Sequence, residues 1–368
     1  MKKAIIRKLS ALAMTLVMIT GTAAAVSVPT AAAAAKPAAS SASSSTGFAA
    51  RTNSDGSVTI VRYLGKSKEV NIPSTINGKR VTAIGSNAFA DNTSITSVTI
   101  PSTVKTIGFN AFAFCTNLRK VTMSSNLREL KTGAFSGCWS LEAIDLPDTL
   151  TVLERNAFAG CRSLKVVFIP KKITRIDFSL FEGCTSLRFV WLPSGITEIY
   201  SNAFDRCTSL VSLRLPASVK HIYGLAFVDC ANLRNLTIPN KNAFIDPIAL
   251  ERCGSVTIYG KSGGSLEKRA KQLGIPFSTK TAPARSLAAI TAKNKTINIK
   301  LKSVDGKGPY YYAVYYKRAD SGKFVSAQKF STNDSLSVKV PKNGSYILRV
   351  KVKDSSSRIT YMDYTVNV

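Results

Sequence analysis

The stretch "LTVLERNAFAGCRSLKVVFIPKK", residues 150–172, decides how the middle of this chain folds. Its Phe158 belongs to a column, Phe89, Phe112, Phe135, Phe158, Phe181, Phe204 and Phe227, spaced 23 residues apart and continued by Leu250. Three residues after each Phe comes Asn92, then Cys115, Cys138, Cys161, Cys184, Cys207, Cys230 and Cys253, which are all seven cysteines of the protein. A third column reads Pro101, Ser124, Pro147, Pro170, Pro193, Pro216 and Pro239. A unit of this length is too small to bury its own apolar side chains. Stacked copies can bury them, because each column packs on its counterparts above and below. Within the unit, Leu164, Val167 and Ile169 mark an L-x-x-V-x-I strand. Stacked at about 4.8 Å, such strands form a parallel sheet. The proline that follows ends the strand, since it has no N–H to donate to a continued ladder. The A-F-x-x-C portion is expected to return the chain as a short helical turn.

Seven in-register copies of I-x-x-x-A-F-x-x-C-x-x-L-x-x-V-x-I-P, over roughly residues 63–280, resemble the BspA-like (treponemal-type) bacterial leucine-rich repeats of 23 residues. The resemblance implies a β-rich α/β solenoid with its parallel β-sheet on the concave face and short helical turns behind. It also implies a cell-surface protein, since such repeats occur in bacterial adhesins and surface antigens. "VNIPSTINGKRVTAIG", 70–85, is similar to the family's first repeat with five inserted residues. "IYGKSGGSLEKRAKQLGIPF", 258–277, is similar to its closing segment, with Ser265–Leu273 as a capping helix. The pattern departs locally at Asn92, at Ser124 and over 243–258, where the Phe is lost. Ahead of the repeats, "FAARTNSDGSVTIVRY", 48–63, alternates around Asn53-Ser54-Asp55-Gly56, the signature of a hairpin, here read as the N-terminal cap.

The 23-residue period stops after Phe277. From about Leu287, short alternating runs are separated by turn residues at 305–308, 320–322, 342–344 and 354–355. Six or seven such strands predict an antiparallel β-sandwich. "GPYYYAVYYK" and the closing "VKVKD…TVNV" are similar to immunoglobulin-like or fibronectin type III-like surface modules. The tyrosines of that run fall on both faces of a strand.

The N-terminus combines a basic "MKKAIIRK" with the apolar "LSALAMTLVMIT" and small residues at Ala23–Ala25, the parts of a secretory signal. Ala31–Ala35 offers a second cleavage site, and the apolar run is short for a membrane span. The expected organisation is a signal over 1–35, a Ser/Ala-rich linker over 36–47, a capped solenoid over 48–280, a linker over 281–286 and a sandwich over 287–368. No transmembrane segment is expected after cleavage. The C-terminal "TYMDYTVNV" carries no sortase motif, so surface retention is expected to be non-covalent.

The net charge of +29 is spread along the chain: residues 48–281 carry 29 basic and 16 acidic side chains, and 282–368 carry 16 and 5. A basic surface attracts polyanions, and salt weakens that attraction. An anionic cell-wall polymer is therefore one partner class. Export argues against a specific nucleic-acid partner.

Catalytic constellations are missing from the sequence. The single histidine, His221, sits at a variable position of the repeat, and nucleophile–histidine arrangements need a histidine placed by the fold. Each cysteine is alone in its repeat rather than in the close pairs that zinc uses, so the column reads as buried, reduced thiols. Asp145 has no second carboxylate on its own face, as glycoside hydrolysis would need. No enzyme activity, metal or cofactor is expected.

The sequence says more about a partner surface. The residues flanking Val in L-x-x-V-x-I point away from the core. Read along the repeats they are Ser97/Thr99, Lys120/Thr122, Ala143/Asp145, Val166/Phe168, Phe189/Trp191, Ser212/Arg214 and Asn235/Thr237. Two adjacent repeats depart from the small or polar pattern together. Val166, Phe168, Phe189 and Trp191 thus form a candidate ligand patch, with Arg214 on the next strand and Lys171 and Lys172 beyond the strand end. Aromatic and arginine clusters are typical of binding hot spots. The expected function is a secreted or cell-surface, non-enzymatic adhesion protein that recognises a protein or glycan through the concave face. The alternative is a structural envelope protein held to anionic wall polymers by its basic surface.

Overall fold

The computed structural model describes residues 47–280, 282, 286–293, 295–303, 311–321, 324–332, 335–353 and 359–368. The signal, its cleavage sites, the spacer up to residue 46, and the turns expected at 305–308 and 354–355 lie outside the described residues.

The repeats stack into parallel ladders offset by one unit. The expected V-x-I strands are present at Ser97–Thr99, Lys120–Thr122, Val166–Phe168, Phe189–Trp191, Ser212–Arg214 and Asn235–Ile238. Their register follows the period: Ser97 pairs with Lys120, Val166 with Phe189 and Ser212 with Asn235. Ala143 joins Val166 through a single bridge, and Phe189–Trp191 pairs only with Val166–Phe168 among the described residues.

A second ladder, not anticipated from the sequence, runs through Thr106–Ile107, Glu129–Leu130 and Val152–Leu153, and again through Arg175–Ile176, Glu198–Ile199, His221–Ile222 and Phe244–Ile245. Two-residue strands are too short to show a period of two. Only the stacking supplies their partners.

The A-F-x-x-C segments are successive turns. Ala113 N–H donates to Asn110 O (3.0 Å) and Cys115 N–H to Phe112 O (3.3 Å), as in tight helical turns. Alternate residues instead donate to the next rung, Phe112 N–H to Ala134 O (2.8 Å) and Phe114 N–H to Ser136 O (2.7 Å). Left-handed residues, Asn110 (φ 51°) and Phe114 (φ 56°) in this unit, keep the turns from extending into a helix. The column position of Asn110 is Asn87, Asn156 and Asn202 in other units, all left-handed, which accounts for its asparagines.

The core is a stack of columns. Phe89, Phe112, Phe135, Phe158, Phe181, Phe204 and Phe227 are essentially buried, with successive ring centroids 4.6 to 6.0 Å apart. Each cysteine thiol reaches back across a rung: Cys138 Sγ donates to Phe112 O at 3.2 Å and Cys161 Sγ to Phe135 O at 3.2 Å. The column therefore needs a small side chain with a weak donor. Burial pushes the Cys161 thiol up to about 12. All seven cysteines are free, six of them buried. Asn92 does a related task by another route, its Oδ1 accepting from Ser94 and Ile95 N–H.

Both ends are covered. Strands Phe48–Thr52 and Val58–Tyr63 form the expected hairpin, and the second pairs in parallel with Lys79–Ile84, extending the second ladder. Tyr63 stacks on Phe89 at 5.2 Å and completes the aromatic column. At the far end, the helix Ser265–Gln272 buries Leu266 and Ala270.

The C-terminal strands form two antiparallel sheets. One comprises Ser286–Lys293, Thr296–Ser303 and Ser335–Lys339, the other Val325–Ser331, Tyr311–Arg318, Ser345–Lys353 and Ile359–Asn367. Ile297, Ile299 and Val338 of the first share a core with Tyr312, Val314, Tyr346 and Leu348 of the second, as in a β-sandwich. Tyr312 is buried and Tyr315 half-exposed, so the tyrosine run does serve both faces.

Candidate ligand-binding surface

Parallel pairing sets Val166 beside Phe189 and Phe168 beside Trp191. The Phe168 and Phe189 rings are 6.2 Å apart, tilted at 53°. Val167 and Val190, which alternate with them, belong to the solenoid core, whereas Val166, Phe168, Phe189 and Trp191 do not. The four side chains therefore meet on the outward side of the first ladder, and Ser212–Arg214 lies next to them. Val166, Phe168 and Trp191 are half-buried and Arg214 is exposed.

Phe189 corrects the sequence reading. It was expected to be a contact residue, yet it is only 7 % exposed. The Phe168 ring on the paired strand packs beside it, as close cross-strand pairs do. It supports the patch rather than presenting it. Lys171 and Lys172 are exposed at the corner beyond Pro170, past the end of the strand.

The sequence reading missed a second aromatic surface, carried by the second ladder. Phe178 lies 4.7 Å from Tyr200, and Tyr200 stacks on Tyr223 at 4.9 Å. His221 lies 6.0 Å from Tyr223 and 6.3 Å from Phe244, whose ring the Arg269 guanidinium approaches at 5.4 Å. Glu198 sits among them, accepting from Tyr200 Oη at 2.8 Å and Tyr223 Oη at 3.4 Å. Its hydrogen bond, aided by burial, raises the Tyr200 phenol above its ordinary range. The signal was available: Tyr200 and Tyr223 are one period apart and flank the Ile199 and Ile222 column. His221 Nδ1 is 4.0 Å from Glu198.

Two stretches, 82–207 and 151–265, match the model of the BspA type leucine rich repeat region in six copies, together half of the chain. The chain belongs to this family. Among solved structures, the BspA-type chain is similar to the leucine rich repeat protein of T. pallidum (28% identity over 64% of this chain and 96% of that one, TM-score 0.44). It is also similar to a leucine rich cell surface protein of Faecalibacterium prausnitzii (23% identity, 62% and 77%, TM-score 0.44). A leucine-rich repeat protein of Bacteroides ovatus is a third relative (22%, 59% and 70%, TM-score 0.38). Comparison with the curated proteins finds no match. No helix among the described residues is long and apolar enough to cross a membrane.

Proposed function

We propose that this BspA-type protein is a secreted or cell-surface, non-enzymatic binding protein that recognises a protein or glycan through the outward face of its first ladder. The observation that carries the reading is the pairing of Val166–Phe168 with Phe189–Trp191. It concentrates four large apolar side chains where other rungs present Ser97, Thr99, Lys120 and Thr122. A solenoid gains nothing in its core from outward aromatics, and clustered aromatics on a surface are the usual anchors of interfaces. Export is supported by the basic and apolar N-terminal segments.

The test is a Phe168→Ala/Trp191→Ala variant of the full chain, screened with the parent on glycan and extracellular-matrix protein arrays at physiological salt. The parent should bind and the variant should lose that binding while keeping its thermal midpoint. Binding that survives the substitution removes this patch from the account.

A further inference from the structure

Where the Pro column turns toward the second ladder, near the N-terminal end of the repeats, there is a pocket of about 290 Å³ lined by Arg80, Ser102, Thr103, Lys105, Asn126 and Arg128. Three of its six residues are cations. Lys105 and Arg128 occupy adjacent rungs, joined by Arg128 N–H to Lys105 O at 2.8 Å. Arg80 comes from the inserted hairpin of the first repeat, where it pairs with Thr75. All three are exposed.

Several cations of the solenoid are neutralised by carboxylates one rung away or close by. Lys131 lies 3.2 Å from Glu129 and 3.3 Å from Glu154, Lys165 lies 2.7 Å from Glu142, and Arg252 lies 2.6 Å from Asp229. By contrast, Arg80, Lys105 and Arg128 make no ion pair and no side-chain hydrogen bond among the described residues. Glu129, next in sequence to Arg128, is turned to Lys131. Asp55 feels Lys105 only slightly, being held low mainly by the Ser57 hydroxyl and N–H. Stacking like charges at rung spacing is unfavourable. A neutral donor also stands idle: Thr103 Oγ1 is buried at this corner with no hydrogen-bond partner. A buried hydroxyl left unpaired is costly, and an anion entering the pocket offsets the repulsion among the three cations.

We propose that this corner pocket binds the phosphodiester groups of an extended anionic polymer. The guanidinium forks of Arg80 and Arg128 match the non-bridging oxygens of a phosphate, and Lys105 adds a point charge between them. Phosphodiester oxygens are strong acceptors, which suits a pocket whose lining adds the exposed Ser102 to its charges. The inference does not depend on the aromatic patch, which belongs to a different face and different rungs.

The experiment compares three full-length proteins at several salt concentrations: the parent, Arg80→Gln/Lys105→Gln/Arg128→Gln, and a control with equal charge loss, Lys66→Gln/Lys268→Gln/Lys271→Gln. The probe is poly(glycerol phosphate) of defined length, with a heparin oligosaccharide of equal charge as the second arm. The substituted side chains are exposed, so both variants should fold, as thermal midpoints will show. Expected is a loss of roughly tenfold or more in affinity for the phosphodiester polymer in the pocket variant, with the salt slope falling by about two to three, against less than about threefold for the control. Equal losses in the two variants overturn the proposal, because charge alone then explains binding. Tighter binding of heparin than of poly(glycerol phosphate) by the parent overturns the phosphodiester assignment. So does no binding of the polymer at physiological salt.

Discussion

The solenoid and the C-terminal sandwich reach a buried core by opposite means. In the solenoid each core residue meets its own copy: Phe158 lies between Phe135 at 6.0 Å and Phe181 at 5.9 Å. In the sandwich no position repeats. Tyr346, 1 % exposed, fills a unique place and donates its hydroxyl to Lys342 O at 2.8 Å. The first arrangement is a chain of nearest-neighbour contacts whose stability is close to a sum over rungs. The second depends on strand pairs far apart in sequence, such as Asn298 with Ser337. The lesson is that a rung is interchangeable except where its side chain departs from the column.

The largest test of this contrast is Phe158→Ala. Removing a buried ring should cost about 3–5 kcal/mol and lower the unfolding transition of the solenoid. Tyr346→Phe should cost about 1 kcal/mol and act on the sandwich alone. Urea unfolding, followed by Trp139 and Trp191 fluorescence for the solenoid and by hydrogen exchange for the sandwich, separates the two. A single shared transition, moved by both changes, breaks the comparison.

Next in size is Ser124, the polar member of the proline column. It is fully buried, donates to Val104 O at 2.6 Å and accepts from Asn126 N–H at 3.2 Å. Ser124→Ala leaves both partners unsatisfied and should cost about 1–3 kcal/mol, read from the urea midpoint. A neutral result would mean that this rung is as interchangeable as the others.

Asp205 is a smaller departure. It is 5 % exposed, and its Oδ1 has no hydrogen-bond partner. Burial raises its carboxyl above the ordinary value, against the pull of Arg206. A raised folded pKa means that the folded state holds the proton more tightly than the unfolded chain. That contribution is complete below the unfolded pKa and is lost as pH rises through the folded one. Asp205→Asn, neutral at every pH, should therefore stabilise the protein at neutral pH by on the order of 1 kcal/mol. The gain should shrink in acid. Thermal midpoints across the pH range check both sign and trend.

The smallest effect is expected at Leu225, which holds φ 60° where four other rungs place Asn. Leu225→Asn should stabilise by roughly 0.5–1 kcal/mol, because asparagine tolerates the left-handed region better. A loss of stability would show that the leucine side chain contributes packing that the column position does not reveal.

Much of the fold was legible because repetition amplifies weak signals. One Phe or Cys means little, but seven at one interval leave a single stacking solution. The hairpin cap was legible from turn residues, and the helix Ser265–Gln272 from the resemblance of the closing segment to the family. The second ladder was not, because pairs such as Glu198–Ile199 carry no pattern by themselves. The candidate patch was half legible. The period placed Phe168 and Trp191 side by side, but it could not say that their neighbours would bury Phe189. The Tyr200–Tyr223 surface escaped because only the columns beside the V-x-I strand were read for outward residues.

By itself, the sequence determined which residues stack on which. A 23-residue period fixes vertical neighbours one rung apart, and hydrophobic burial then needs those columns to face inward. Only the tertiary structure decided the lateral neighbours. It set Arg80 of an inserted hairpin beside Lys105 and Arg128, and it left the Thr103 hydroxyl without a partner at the same corner. Those contacts join residues at different phases of the repeat, and they arise only once the coil has closed and its corners have a shape.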